Sequence, residues 1–213
     1  MTEDTAPQIG LRGSAIRDPA YREDQRQQIL LAAARVFARK GYITATMDDI
    51  AREMGVSKGI LYYQFRSKQE LIVAARVEAS GGAADRLEAI SLEPGSATHQ
   101  MRAALQDLVE SNFQELSRHA ILAPFNLGLD ETHAEQIRAV EHRYEELLKG
   151  IFRSGVEAGE FVDSDPTLTV FTLIRAAESP SFWYRSGGRI SQAELVDGVT
   201  TMLLRSIGAP SPA

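Results

Sequence analysis

Thr46-Met-Asp-Asp-Ile-Ala-Arg-Glu-Met-Gly-Val-Ser-Lys-Gly-Ile-Leu-Tyr-Tyr-Gln-Phe65 reads as two short helices joined by a tight turn. Thr46 is placed to cap the first, with Asp48 and Asp49 in the turn where negative charge suits the helix dipole. Ile50, Ala51 and Met54 form its apolar stripe. Gly55 supplies the left-handed backbone that ends a helix at little cost. Ser57 is the expected cap of a second helix from about Lys58 to Gln64. Helix, glycine turn and helix is the helix-turn-helix layout, whose second helix enters a DNA major groove. Leu61 and Phe65, four apart, are expected to face a core. Lys58, Gly59, Tyr62 and Tyr63 then point outward. Tyrosines on a helix face also suit an interface between proteins, but Lys58, Arg66 and Lys68 around them favour DNA.

Two helices cannot close a core, so a third is required. Tyr21 or Arg22 to Lys40 supplies it, with Ile29, Ala33 and Phe37 on one stripe, Arg39 and Lys40 in the last turn, and Gly41 beyond. Downstream, Ser67-Lys-Gln-Glu70 has the form of a capping box and starts a fourth helix. Its first amides and Lys68 are expected to form an anion site beside the second helix of the motif. Ser80-Gly81-Gly82 is expected to kink or break this fourth helix, near a domain boundary that it bridges. The expected organisation is a flexible tail at 1–20, a DNA-binding domain at 21–66, a helical domain at 67–207 and a short tail at 208–213. In the first tail, Arg12 and Arg17 suit either a solvated arm or one that reaches a minor groove.

The remainder shows helical periods and no alternating strand, so the fold class is all-α with about nine helices. Helices are expected at about Ala97–Ser117, Ala120–Phe125 (broken by Pro124), Thr132–Ala158, from Asp165-Pro166 onward, and Ser191–Ser206. Asp165 as cap with Pro166 in the first turn starts the penultimate helix, and Pro180 is expected to kink or divide it. Ser191 and Glu194 form a second capping box.

The chain has 213 residues, 44% of them apolar and 24% charged, which suits a folded domain with a sizeable core. It lacks cysteine, so disulfides and thiolate chemistry are excluded. No apolar run approaches the ~18 residues of a membrane span, and the expected location is the cytoplasm. The net charge of −6 is unevenly distributed. Residues 22–68 hold nine basic and five acidic side chains, whereas residues 81–213 hold 11 and 19. The helix-turn-helix end is thus the basic pole of an acidic protein. Histidines 133 and 142 do not fall in a metal-binding spacing, and no phosphate loop, nucleophile elbow or dinucleotide fingerprint is present. Neither a metal, a resident cofactor nor an enzymatic activity is expected.

Thr46-Met-Asp-Asp-Ile-Ala51, Gly55-Val-Ser-Lys-Gly59, Leu61-Tyr-Tyr-Gln-Phe65 and Lys68-Gln-Glu-Leu71 together resemble the TetR family of bacterial transcription regulators. The end of the upstream helix, Phe37-Ala-Arg-Lys-Gly-Tyr42, also fits. Gln64 stands where members often have histidine. The resemblance implies an all-helical homodimer that binds an operator through its first three helices, most often as a repressor, and a small-molecule effector through the later ones. It places Lys58, Gly59 and Tyr63 at bases or flanking phosphates, and Thr46, Tyr62 and Lys68 on phosphates, with Ser57 and Gln64 in the same surface. In the last two helices Leu173, Ala177, Leu195, Val199, Met202 and Leu203 are the expected dimer interface.

Phe182-Trp-Tyr-Arg-Ser-Gly-Gly-Arg-Ile-Ser191 is similar to a segment of TetR-like regulators that sense acyl-CoA thioesters, with Ser186 where proline is common. The effector expected on that resemblance is an acyl-CoA thioester. Candidate ligand residues are Phe113, Phe125, Tyr144, Arg175 and Trp183, each of which also suits packing. Arg175 has Glu178 three residues away, so an intrahelical pair competes with an anionic ligand. The alternative function is a helical carrier or interaction module with a vestigial helix-turn-helix; steep salt dependence of DNA binding separates the two.

Overall fold

The structure, a computed structural model, describes residues 19–122 and 129–209. Among the described residues there are ten helical segments and no strand. They are α1 (Pro19–Lys40), α2 (Met47–Met54), α3 (Lys58–Gln64), α4 (Lys68–Leu92), α5 (Ala97–Ser111), α6 (Glu115–Leu122), α7 (Glu131–Glu157), α8 (Pro166–Glu178), α9 (Pro180–Trp183) and α10 (Gln192–Ser206). The chain divides into two compact units, through Leu71 and from Ile72 onward. Arg12, Arg17 and Phe125 lie outside the described residues.

The first unit is built as the local signals dictate. Thr46 and Asp49 form a reciprocal capping box on α2. Gly55 takes φ 67° and closes the helix, with the Val56 amide donating to Ala51 O at 3.1 Å. Ile29, Leu30, Ala33 and Val36 of α1 are buried with Ile50 and Ala51 of α2 and Leu61 of α3. Burying each large aliphatic side chain stabilises by roughly 1.5–3 kcal/mol, which holds three short or marginal helices in one arrangement.

In the second unit, α5 packs against α7, α8 and α10. Met101, Leu105 and Val109 of α5 are buried with Leu148 and Phe152 of α7, Leu173 and Ala177 of α8, and Leu195 and Leu204 of α10. Ser96, Asp130, Asp165 and Ser191 each accept a backbone amide at a helix start.

Three expectations are corrected. Gly81-Gly82 lies inside an unbroken α4. Each glycine costs about 1 kcal/mol relative to alanine, but Ala84 and Leu87 on the next turn are buried in the core, and that packing prevails. The helix expected through Ser117 stops at Ser111. The expected dimer residues Leu173, Ala177, Leu195 and Leu203 are buried within the chain, Val199 packs against the same core, and Met202 is the exposed one. Helix-period stripes mark burial; they do not say whether the same chain or another covers it.

Asn112 accounts for both the early end of α5 and the break at Pro180. A continuous helix would pair the Ser181 amide with Ala177 O. Instead Ser181 N donates to Asn112 Oδ1 at 3.1 Å, and Asn112 Nδ2 donates to Ala177 O at 2.9 Å. The buried carboxamide thus replaces one broken rung of the α8–α9 ladder, while Nδ2 also reaches Val109 O at 2.8 Å. Replacing Asn112 with alanine leaves two buried backbone groups unpaired, at roughly 1–3 kcal/mol each. Asn112→Ala is therefore expected to lower unfolding free energy by about 3 kcal/mol in urea titration, and Ser181→Ala by about 1 kcal/mol. A loss below 1 kcal/mol for Asn112→Ala would mean that the rung is satisfied in another way.

Candidate nucleic-acid interface and effector cavity

The fold turns one face of α3 outward. Leu61 and Phe65 are buried, while Ser57, Lys58, Gly59, Tyr62 and Tyr63 are exposed, Tyr63 at 70%. Gly59 has no role in holding the fold. Its φ is not positive, and a Cβ there would meet only Ser57 Oγ at 3.8 Å, an ordinary contact. A glycine that the backbone does not need leaves room for another surface to approach. Ser57 occupies the cap position of α3 with extended backbone, yet its side chain makes no capping bond. Its exposed hydroxyl is therefore not used at the helix start.

The basic balance of this end is largely engaged within it. Glu53 accepts from Arg35 Nε at 3.2 Å and is also bonded to Arg39. Asp49 accepts from Lys40 Nζ at 2.7 Å and Arg52 Nη1 at 3.0 Å. Lys58 is paired with Asp48, and both are well exposed. Arg26 stacks over the Phe65 ring at 4.9 Å. Exposed pairs of this kind contribute little and exchange readily for phosphate. The Lys40 ammonium, followed by the Thr46 hydroxyl and amide, holds the Asp49 carboxyl far below the usual carboxylate range. The Arg39 guanidinium, with Arg35, does the same more weakly for Glu53.

Three of the expected phosphate-facing side chains have other partners. Lys68 Nζ donates to the carbonyls of Tyr42, Ile43 and Ala45 at 2.6, 3.0 and 2.8 Å and lies over the Tyr42 ring. All three ammonium protons are engaged, so Lys68 ties down the α1–α2 turn and does not serve as an anion donor. Gln64 is half-buried and donates to Gln25 Oε1 at 3.3 Å. The Thr46 hydroxyl donates to Asp49 Oδ2 at 2.8 Å and accepts from Asp49 N. At the α4 start, Ser67 Oγ accepts from Glu70 N, but Glu70 reaches past Ser67 to the Arg66 amide. Asp48 opposite Lys58 is the member of this surface that local pattern did not mark, because the two sit on different helices.

The ligand candidates do not form one site. Tyr144 and Arg175 line a cavity of about 100 Å³ within the second unit, with Glu141, Glu145 and Glu178. Arg175 Nη1 donates to Glu178 Oε2 at 2.8 Å, the intrahelical pair. Burial pushes the Glu178 and Glu145 carboxyls above the usual range, and it raises the Tyr144 hydroxyl well above its ordinary value. Phe113 instead packs edge-on to Tyr184 at 5.4 Å. Trp183 is half exposed on α9, beside an exposed Phe182. Among the described residues no three His, Asp or Glu side chains converge as a metal site requires, and no helix is long and apolar enough to cross a membrane.

A recognition helix held outward by a buried three-helix core defines a helix-turn-helix DNA-binding protein. Residues 29–75 match the model of bacterial regulatory proteins of the tetR family, and residues 94–207 match the tetracyclin repressor-like C-terminal domain. The chain belongs to the TetR family of transcriptional regulators. It is similar to the HTH-type transcriptional repressor KstR2 of Rhodococcus jostii (strain RHA1), at 26% identity over 199 residues, 91% of this chain and 96% of the relative. A solved TetR/AcrR-family regulator from Thermobifida fusca is 32% identical with a TM-score of 0.67, covering 85% of this chain and 97% of that one. The fold is shared with FadR from Bacillus subtilis, solved in complex with stearoyl-CoA, at 20% identity and a TM-score of 0.70, covering 85% and 98%.

Asp49 gives the first unit a defined acid response. Its carboxyl titrates lower in the folded state, so its contribution is full above the unfolded value of about 4 and declines as pH falls below it. Asp49→Asn is expected to lower the thermal midpoint at pH 7, with the gap to the parent narrowing progressively as pH falls below ~4; an equal gap at pH 7 and pH ~2 would remove charge as the cause. Gly59→Ala is expected to leave stability unchanged or raise it by up to about 1 kcal/mol, while weakening DNA binding at least about tenfold. Unaltered DNA affinity would mean that nothing approaches α3 at this point.

Proposed function

We propose that the chain is a homodimeric repressor that leaves its operator when a small molecule occupies the second unit, acting in the cytoplasm by binding and not by turnover. The observation that carries this reading is the outward face of α3, where Ser57, Lys58, Gly59, Tyr62 and Tyr63 are exposed without a role in the core. Lys58 is the major-groove donor, released from Asp48 as it meets DNA. Tyr62, Tyr63 and the Ser57 hydroxyl hold flanking phosphates. Two such helices ~34–36 Å apart would read successive major grooves of a near-palindrome. An effector needs only different affinities for two settings of that spacing, with α4 as the element that moves.

The face proposed for the second copy differs from the one expected from apolar stripes. Leu168 and Phe171 on α8 and Met202 on α10 are exposed, Leu168 at 72% and Met202 at 71%, and the two helices pack side by side. Exposed apolar side chains grouped on two adjacent helices suit an isologous contact.

An acyl-CoA thioester is the effector we propose to test first. Phe182 and Trp183 lie exposed beside the exposed cations Arg185 and Arg189, a pairing that suits an apolar chain or adenine ring together with phosphates. The stearoyl-CoA complex of the related fold supports the same choice.

The decisive experiment is a gel shift of DNA from upstream of the chain's own gene across a salt series. A shift with steep salt dependence is expected, and no shift at low salt would sink the reading. Lys58→Ala is expected to reduce specific affinity more than nonspecific affinity, and Tyr62→Phe to reduce both alike. Phe171→Glu with Met202→Glu is expected to give a monomer by light scattering and to abolish the shift; a dimer that persists would place the interface elsewhere.

A further inference from the structure

Three carboxylates lie on α2, and two of them are tied into the first unit. Asp49 caps its own helix and accepts from Lys40 and Arg52, while Glu53 accepts from Arg35 and Arg39. Asp48 instead reaches across the turn to Lys58, the first residue of α3. The two side chains are 44% and 61% exposed, and pairs so exposed contribute little to a fold. The α2 dipole already has Asp49 in the same turn. Because α3 carries no acidic residue of its own, Asp48 sets the charge around its lysine. A carboxylate in that place opposes the approach of phosphates, from which nonspecific DNA affinity comes. Its effect therefore falls on selectivity and not on raw affinity.

We infer that Asp48 is a specificity-determining residue: with Lys58 it forms a donor–acceptor couple that fits the major-groove edge of a G·C pair and disfavours phosphate as the partner of Lys58. The edge of that pair presents the guanine N7 and O6 acceptors beside the cytosine N4 amino donor. As Lys58 leaves Asp48, its ammonium donates to guanine and the freed carboxylate accepts from the cytosine amino group. Both members of the couple are then satisfied. A phosphate satisfies the ammonium and repels the carboxylate left beside it. An A·T pair sets its amino donor between its acceptors, so the lysine finds no two adjacent acceptors there. The couple has no net charge, so Lys58 adds little to counterion release while Asp48 is present. This assignment rests on the operator reading and goes beyond it by giving a base edge to an acidic residue of α2.

The test is selection of the full chain on a randomised duplex pool, followed by anisotropy titration of the enriched duplex and a scrambled duplex of equal length across a salt series. Asp48→Ala is expected to bind the scrambled duplex at least about threefold more tightly, with a salt slope steeper by about 0.9. Its preference for the enriched duplex is expected to fall at least about threefold, and repeated selection is expected to relax a G·C position that the parent fixes. Asp48→Asn, which keeps the shape and loses the charge, is expected to steepen the slope equally and serves where the alanine variant unfolds. Thermal midpoints are measured alongside, because a purely structural role would lower stability and both affinities together. An unchanged preference, equal changes in both affinities, or a motif that keeps every G·C position would overturn the inference. A parent that enriches no motif sinks the operator reading and this inference with it. A parent that enriches a motif whose preference survives Asp48→Ala sinks this inference alone.

Discussion

The seven residues of α3, Lys58–Gln64, are too few to hold a helix in water. What holds them is burial of Leu61, on α3, and Phe65, directly after it, in the core that α1 and α2 close. The rest of the first unit follows from that constraint. The left-handed Gly55 sets the turn, the Thr46–Asp49 box starts α2, and Lys68 fastens the chain between α1 and α2 by three carbonyls. Because one face of so short a helix is committed to the core, the other is committed to solvent. An outward Lys58, Gly59, Tyr62 and Tyr63 is the geometric remainder of packing Leu61 and Phe65.

The charge pattern acquires a different meaning once side chains are placed. Counting residues makes this end basic, but Arg35, Arg39, Lys40, Arg52 and Lys58 all have carboxylate partners on α2. Two functions coexist in these pairs. Those at Asp49 and Glu53 join α1 to α2 or brace α2 itself. The one at Asp48 occupies Lys58 on the face that would meet DNA. Its members are both exposed, so phosphate can displace the carboxylate at small cost.

The second unit has a corresponding hinge of construction in Asn112. A proline in a helix interior removes a donor and disturbs the rung next to it. Asn112 supplies donor and acceptor to the Ala177 and Ser181 groups left by that disturbance. The break at Pro180 therefore leaves no orphaned group at either, and it directs Phe182 and Trp183 outward while α8 keeps Leu173 and Ala177 inward. α8 also lines a cavity within the second unit through Ile174, Arg175 and Glu178.

Helix type, most starts, the glycine stop of α2 and the family were legible in the residues alone. Thr46, Asp165 and Ser191 cap where pattern places them, and Leu61 and Phe65 face inward at their spacing of four. These signals are local, acting within one or two turns, and a chain carries them wherever it goes. Partnerships across helices are not local. Lys68 meets carbonyls up to 26 residues away, and Asn112 meets groups 65 and 69 residues away. Whether Leu173 and Leu195 were core or interface, whether Gly81-Gly82 broke α4, and which carboxylate Lys58 would find all depended on what the folded chain brought alongside. A periodic stripe states that a face is buried; only the packed structure states against what.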